Sequence, residues 1–184
     1  MKKPIMIGIT GKRNVGKSTA ATLLQQEFGF SKIHAFDGGK WATYSFFEYI
    51  TGNEKTAFNM VYGDLKDKPS EYLPNNVAPR YFLEHFGKFM GLDMGIDWTL
   101  AMEINRSQRL NPNASIVVES LVYEADWFKS QGGIILRLDR PEFAGPVVDS
   151  DIFQATIQED YKITARTADE LEVKVRQFAR EIVG

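Results

Sequence analysis

Residues 11–18 read Gly-Lys-Arg-Asn-Val-Gly-Lys-Ser, the spacing G-x-x-x-x-G-K-[ST]. Those residue types at that spacing bind the phosphates of a nucleoside triphosphate such as ATP. Gly11 and Gly16 let the backbone turn tightly and aim several N–H groups at phosphate oxygens. Lys17 would reach the β- and γ-phosphates, and the Ser18 hydroxyl would ligate Mg²⁺. Asn14, Val15 and Thr19 complete the nucleotide-binding stretch. Lys12 and Arg13 add positive charge that faces either phosphate or solvent.

Three further residues carry chemistry. Glu119 ends the apolar run Ser115-Ile116-Val117-Val118. Ligands of open α/β sheets gather at the carboxyl ends of such strands. A carboxylate there either orients a metal through water, holds a nucleophile or is a solvated acid at the strand end. Asp37 ends the shorter run Lys32–Phe36. It either takes a proton from an acceptor hydroxyl, orients a sugar or base, or caps the following turn. Arg80 lies in the first turn of a predicted helix, where a cation opposes the helix dipole unless an anion binds nearby.

Alternating strand and helix patterns place these residues and predict an α/β fold with a mainly parallel sheet. The first strand is expected over about 4–10 and the helix after the glycine loop over about 17–28. The second strand is 32–36, and Gly38-Gly39 then turns the chain into an aromatic-rich helix over 41–51. Trp41, Tyr44, Phe46 and Phe47 either stack on a base or form core; core is the expectation for most of them. Residues 52–78 read as a polar insertion with a short helix near 55–62. Pro79 opens the next helix, with Phe82, Leu83, Phe86, Phe89 and Met90 as its buried face. A helix over 97–108 is expected to group Trp98, Ala101, Met102 and Asn105. Strand three is 115–118, a helix covers about 122–131, and strand four is 134–138. Residues 141–156 read as a loop and 160–163 as a fifth strand. Thr167 and Glu170 form a capping-box pattern for a last helix packed through Leu171, Val175, Phe178 and Ile182.

Composition narrows the function classes. A chain of 184 residues with 43% hydrophobic content suits one domain, 1–184, with a substantial core. The net charge of −2 gives no global basic field for nucleic acid. There is no cysteine, so thiolate zinc sites and disulfides are excluded. His34 and His85 stand apart in sequence and read as packing or surface residues. No run approaches the length of a membrane span, and a cytoplasmic location without membrane contact is expected.

Beyond the glycine loop, short segments follow in an order that resembles the deoxynucleoside monophosphate kinases of tailed bacteriophages. The segments are Ala35-Phe36-Asp37-Gly38-Gly39-Lys40, Tyr62-Gly63-Asp64-Leu65-Lys66, Ala78-Pro79-Arg80-Tyr81-Phe82-Leu83 and Phe86-Gly87-Lys88-Phe89-Met90-Gly91. Asp97-Trp98, Glu124-Ala125-Asp126-Trp127, Gly132-Gly133 and Asp139-Arg140-Pro141 continue the series. The resemblance implies a P-loop kinase with a five-stranded parallel sheet and a helical acceptor-binding region over about 38–108. It implies ATP and Mg²⁺ as cofactors, Arg80 at the acceptor phosphate and Arg140 at the nucleotide. Lys17, Asp37, Arg80 and Glu119 become the catalytic candidates, and Ser18 with Glu119 the metal ligands. Arg106, Arg109 and Arg166 are candidates for a closing charge.

The chain departs from that family on the acceptor side. The family's Asp-x-Arg after strand three is Val118-Glu119-Ser120-Leu121-Val122 here, without arginine, and Glu119 stands in for the aspartate one residue away. Phe153-Gln154-Ala155-Thr156 replaces His-x-Ser-Glu, and Thr164-Ala165-Arg166 lacks the later asparagine. Three readings stay open. The first is a kinase acting on a deoxynucleoside monophosphate. The second is a kinase acting on a hydroxymethyl pyrimidine nucleotide, or on hydroxymethyluracil in phage DNA. The third is a nucleotide-binding regulator without transfer activity. A homodimer is compatible with each, and for a phage-encoded protein the location is the host cytoplasm.

Overall fold

Ile7, Gly8, Ile9 and Thr10 are buried because β1, Met6–Thr10, is hydrogen-bonded on both edges. Such a strand reads as a near-continuous apolar run. The computed structural model describes residues 4–141 and 149–184. The elements after β1 are α1 (Lys17–Phe28), β2 (Ser31–Ile33), α2 (Asp37–Thr51), α3 (Glu54–Val61), α4 (Pro79–Lys88) and α5 (Ile96–Leu110). They continue with β3 (Ile116–Val118), α6 (Ala125–Ser130), β4 (Ile134–Asp139), α7 (Asp149–Thr156), β5 (Tyr161–Thr164) and α8 (Ala168–Val183). The sheet has five strands in the order β2-β3-β1-β4-β5, and every pairing is parallel.

The chain forms two compact units, Met1–Ala35 with Leu100–Gly184, and Phe36–Thr99. In the first, alternate strand residues face opposite sides of the sheet. Ile7, Ile9, Val117, Leu136 and Leu138 pack with Ala20, Leu24, Val175 and Phe178 of α1 and α8. Ile116, Val118 and Ile135 face the other way, onto Leu100, Ile104, Leu121 and Phe128. Thr167 caps α8 by accepting from the Glu170 N–H at 3.2 Å. The return bond of the expected capping box lands one residue early, on the Arg166 N–H at 2.8 Å.

The second unit is helical, with Phe47, Ala57, Met60, Val61, Leu73 and Leu83 at its centre. Asn53 caps α3 by accepting from the Thr56 N–H at 2.9 Å. A π-helical turn, Phe89–Asp93, follows α4. Of the aromatic group on α2, Phe47 is fully buried and Tyr44 partly so. Trp41 is 62% and Phe46 42% exposed, so half of that cluster lies at the surface instead of in the core. On α4, Leu83 is buried and Phe82 and Phe86 are half-buried, whereas Phe89, beyond the helix, is exposed.

Three other expectations change. The buried stripe of α5 is Leu100, Glu103, Ile104 and Ser107, while Trp98 and Asn105 are exposed. The i, i+3, i+4, i+7 spacing fits both sets, and the apolar sheet face selects the first. The loop expected over 141–156 contains α7, and its residues 142–148 lie outside the described ones. Gly38-Gly39 is not a turn but the first turn of α2, with neither glycine at positive φ. Gly39 is there for packing: a Cβ would fall on the Phe36 ring. That ring packs edge-on to Phe86 at 5.8 Å and is not free to leave.

Gly39→Ala therefore sets two effects against each other. A helical Gly→Ala change gains about 1 kcal/mol, and overpacking a filled site costs about 1–3 kcal/mol. A net loss of stability is expected, read as a lower urea midpoint at unchanged slope. A raised midpoint would show that the ring gives way freely.

Candidate functional site

The loop between β1 and α1 departs from ordinary backbone at three residues. Gly11, Asn14 and Gly16 have φ of 136°, 59° and 99°. Asn is among the few side chains that tolerate the left-handed region, which accounts for its type at position 14. Gly16 has a second reason, since a Cβ there would overlap Leu171 Cδ2. α8 thus holds the loop from behind. Val15 is buried, and Asn14, Ser18 and Thr19 are exposed. The loop ends at the α1 N-terminus, whose first turn carries no acidic residue. Unpaired N–H groups and the helix dipole favour an anion at that end.

Lys17 reaches back over the loop. Its Nζ donates to the Gly11 carbonyl at 2.6 Å and to the Lys12 carbonyl at 2.7 Å. Ser18 Oγ donates to Glu119 Oε1 at 2.5 Å. This contact joins the start of α1 to the residue after β3, 101 positions later. Parallel pairing of β1 with β3 makes it possible, with Met6, Ile7 and Gly8 opposite Ile116, Val117 and Val118. Glu119 Oε2 faces Lys32 Nζ at 3.5 Å, and Lys32 Nζ donates to Thr22 Oγ1 at 3.2 Å. Lys17, Ser18 and Glu119, all expected from sequence, share this loop edge. Lys32 and Thr22 were missed. The available signal was strand alternation, which puts Lys32 on the sheet face of Val117 and Glu119.

The other candidates lie on other elements. Arg140 follows β4 and is exposed. In the second unit, Asp37 opens α2 and accepts from Lys40 Nζ at 3.0 Å. Arg80 sits in the first turn of α4, and its backbone N–H donates to the Lys66 carbonyl at 2.8 Å. Its guanidinium grips Asp67 with two bonds, Nε to Oδ1 and Nη2 to Oδ2, the second at 2.9 Å. That pairing raises the Arg80 pKa further above its usual value. Asp67 could not be read from local sequence, because its partner is 13 residues away across a helix start. His85 Nδ1 lies 2.8 Å from the Tyr81 carbonyl. Among the described residues no three His, Cys, Asp or Glu side chains cluster as a metal site. Ser18 and Glu119 bring two side-chain oxygens together at the loop edge.

Comparisons with known proteins bear on the fold more than on the site. No family model matches the chain. A relative in Acanthamoeba polyphaga mimivirus, described as "Putative deoxynucleotide monophosphate kinase", is 27% identical over 150 residues, 76% of this chain and 76% of that one. The crystal structure of TT1252 from Thermus thermophilus is similar over 100% of both chains, with a TM-score of 0.52 and 16% identity. The fold is α/β, a five-stranded parallel sheet flanked by helices, and the likeness to that structure bears on the fold alone. Among the described residues no helix is long and apolar enough to cross a membrane.

Beyond Glu119 the chain turns inward at Glu124, which is 6% exposed. Burial raises its pKa, partly countered by backbone N–H groups that include Val122 at 3.3 Å. An acid whose pKa rises on folding favours the folded state while protonated. That contribution is full below the ordinary glutamate range and is lost as pH rises through the folded value. Glu124→Gln keeps an acceptor oxygen and removes the charge. It is expected to be more stable than wild type at pH 8 and to converge with it as pH falls below about 4.3. Urea unfolding across pH measures this, and a pH-independent difference would refute the burial argument.

Proposed function

We propose that the chain is an ATP- and Mg²⁺-dependent nucleotide kinase whose acceptor is a deoxynucleoside monophosphate. One observation carries the reading: Lys17, Ser18 and Glu119 converge at the glycine loop where β1 and β3 end. The description of the mimivirus relative supports the acceptor class, as does the ordered series of family-like segments.

Phosphoryl transfer asks little covalent chemistry of a protein. It needs alignment and positive charge around the transferring group. The N–H groups of the loop and of the α1 N-terminus would hold the phosphates. Lys17 would exchange the carbonyls of Gly11 and Lys12 for β- and γ-oxygens. Ser18 and Glu119 fit Mg²⁺, since both offer the hard oxygen ligands it takes. When bound there, Mg²⁺ would supply positive charge against the charge that develops on the transferring phosphoryl group. Arg140 is the further candidate for nucleotide contact.

A monophosphate acceptor is already ionised, so its attack needs no general base. Arg80 is the acceptor-side candidate because a guanidinium can grip phosphate with two parallel bonds. Asp67 fills its Nε–Nη2 edge and would leave the other edge to a phosphate. Asp37, tied to Lys40, is read as orienting the acceptor's sugar or base.

A coupled ADP-release assay across the deoxynucleoside monophosphates tests the reading. Turnover with at least one is expected, falling by about 10²–10³-fold or more in Lys17→Ala. Tight ATP·Mg binding with no ADP release on any acceptor would refute it. Arg80→Ala is expected to raise the acceptor KM about ten- to a hundredfold and to leave the ATP KM unchanged. An unchanged acceptor KM would remove Arg80 from the acceptor site.

A further inference from the structure

Four side chains form a short chain of contacts at the loop edge, and the kinase reading uses only two of them. Ser18 Oγ meets Glu119 Oε1 at 2.5 Å. Glu119 Oε2 meets Lys32 Nζ at 3.5 Å. Lys32 Nζ donates to Thr22 Oγ1 at 3.2 Å. The two carboxylate oxygens therefore have different neighbours, a hydroxyl on one and an ammonium on the other.

The backbone dictates this arrangement. Ser18 and Thr22 are four residues apart on α1 and share one helix face. Lys32 pairs with Val117 across β2 and β3. The Glu119 N–H donates to the Ile33 carbonyl at 2.8 Å, so the extended register continues one residue beyond β3. Residues two apart on a strand share a face. Lys32, Val117 and Glu119 are thus on one side of the sheet, and Val117 packs there with Ala20, Ala21 and Leu24 of α1.

The Lys32 and Glu119 side chains are 30% and 22% exposed. An ion pair this open contributes little to stability, so its value lies in orientation. A glutamate must be held at both ends of its carboxylate to present one oxygen reproducibly. We propose that Lys32, braced by Thr22, is a positioning residue that limits Glu119 to a single-oxygen grip on the metal and so favours Mg²⁺ over larger cations. The inference rests on the kinase reading. Its physical basis is the difference between the ions. Mg²⁺ takes six oxygens in a tight octahedron, whereas Ca²⁺ accepts six to eight and often binds both oxygens of a carboxylate. With Lys32 beside Oε2, the two-oxygen mode is disfavoured. Without that ammonium, the two-oxygen mode becomes easier and the larger ion profits from it.

Binding of a fluorescent ATP analogue, titrated with Mg²⁺ or Ca²⁺ in the absence of acceptor, reads the preference without turnover. The measured quantity is the ratio of half-saturating Ca²⁺ to half-saturating Mg²⁺. Lys32→Met is expected to lower this ratio about tenfold, the usual scale for partners that orient metal ligands. Lys32→Arg, which keeps charge and reach, is expected to restore most of it. Thr22→Val loosens the same ammonium from the helix side and should lower the ratio by less, which keeps the test available if Lys32→Met folds poorly. A ratio unchanged within about twofold in both Lys32→Met and Thr22→Val, with wild-type binding still metal-dependent, overturns the role of Lys32 alone. Wild-type binding indifferent to both cations overturns the kinase reading and this inference with it.

Discussion

The parallel pairing of β1 with β3 on one edge and β4 on the other is the constraint on which the site depends. Parallel strands bring their carboxyl ends to one edge of the sheet, and a helix follows β1 from that edge. The loop that starts at Gly11 and the carboxylate of Glu119 meet there because the register sets Gly8 opposite Val118. A shift of one residue would turn Glu119 to the opposite face, away from Ser18 and Lys32. The buried faces of Ile7, Ile9 and Val117 against α1 and α8 prevent that shift. Packing and chemistry therefore rest on the same register.

α8 contributes to the site without a polar residue in it. Leu171 closes against Gly16, and Thr167 and Glu170 fix where the helix starts. Loop shape at the phosphate end is thereby tied to a helix more than 150 residues further on. The second unit is organised around aromatic contacts. Phe46 and Phe82 stack at 5.3 Å, and Phe86 and Phe89 at 6.2 Å. Arg80 gains its fixed direction there from Asp67, a carboxylate on the preceding segment and not on its own helix.

Local patterns carried much of the organisation. The α1 limits, the order of the strands along the chain and the α8 cap follow from apolar runs, glycines and a Thr-x-x-Glu spacing. Where the sequence admitted two answers, the fold chose. α5 offered two stripes at helical spacing, and packing of Leu100 and Ile104 on the sheet face buried the one that also holds Glu103 and Ser107. Gly38-Gly39 resembled a turn, but the Phe36 ring needed the space beside Gly39 within a helix. Trp41 and Phe46 resembled core, yet of Trp41, Tyr44, Phe46 and Phe47 only Phe47 is fully buried.

The glycine loop and the types of its residues are legible without the fold, because backbone turning and anion attraction are demands that local spacing meets. Glu119 was legible for the same reason, as an acid at the end of an apolar strand. What those groups touch depends on the folded chain. That Ser18 meets Glu119, that Lys32, bonded to Thr22, faces its second oxygen, and that Asp67 takes Arg80 are products of strand order and helix packing. The physical reason is range: capping, turning and periodicity act within a few residues, whereas these contacts join segments that only the folded chain brings within hydrogen-bond distance.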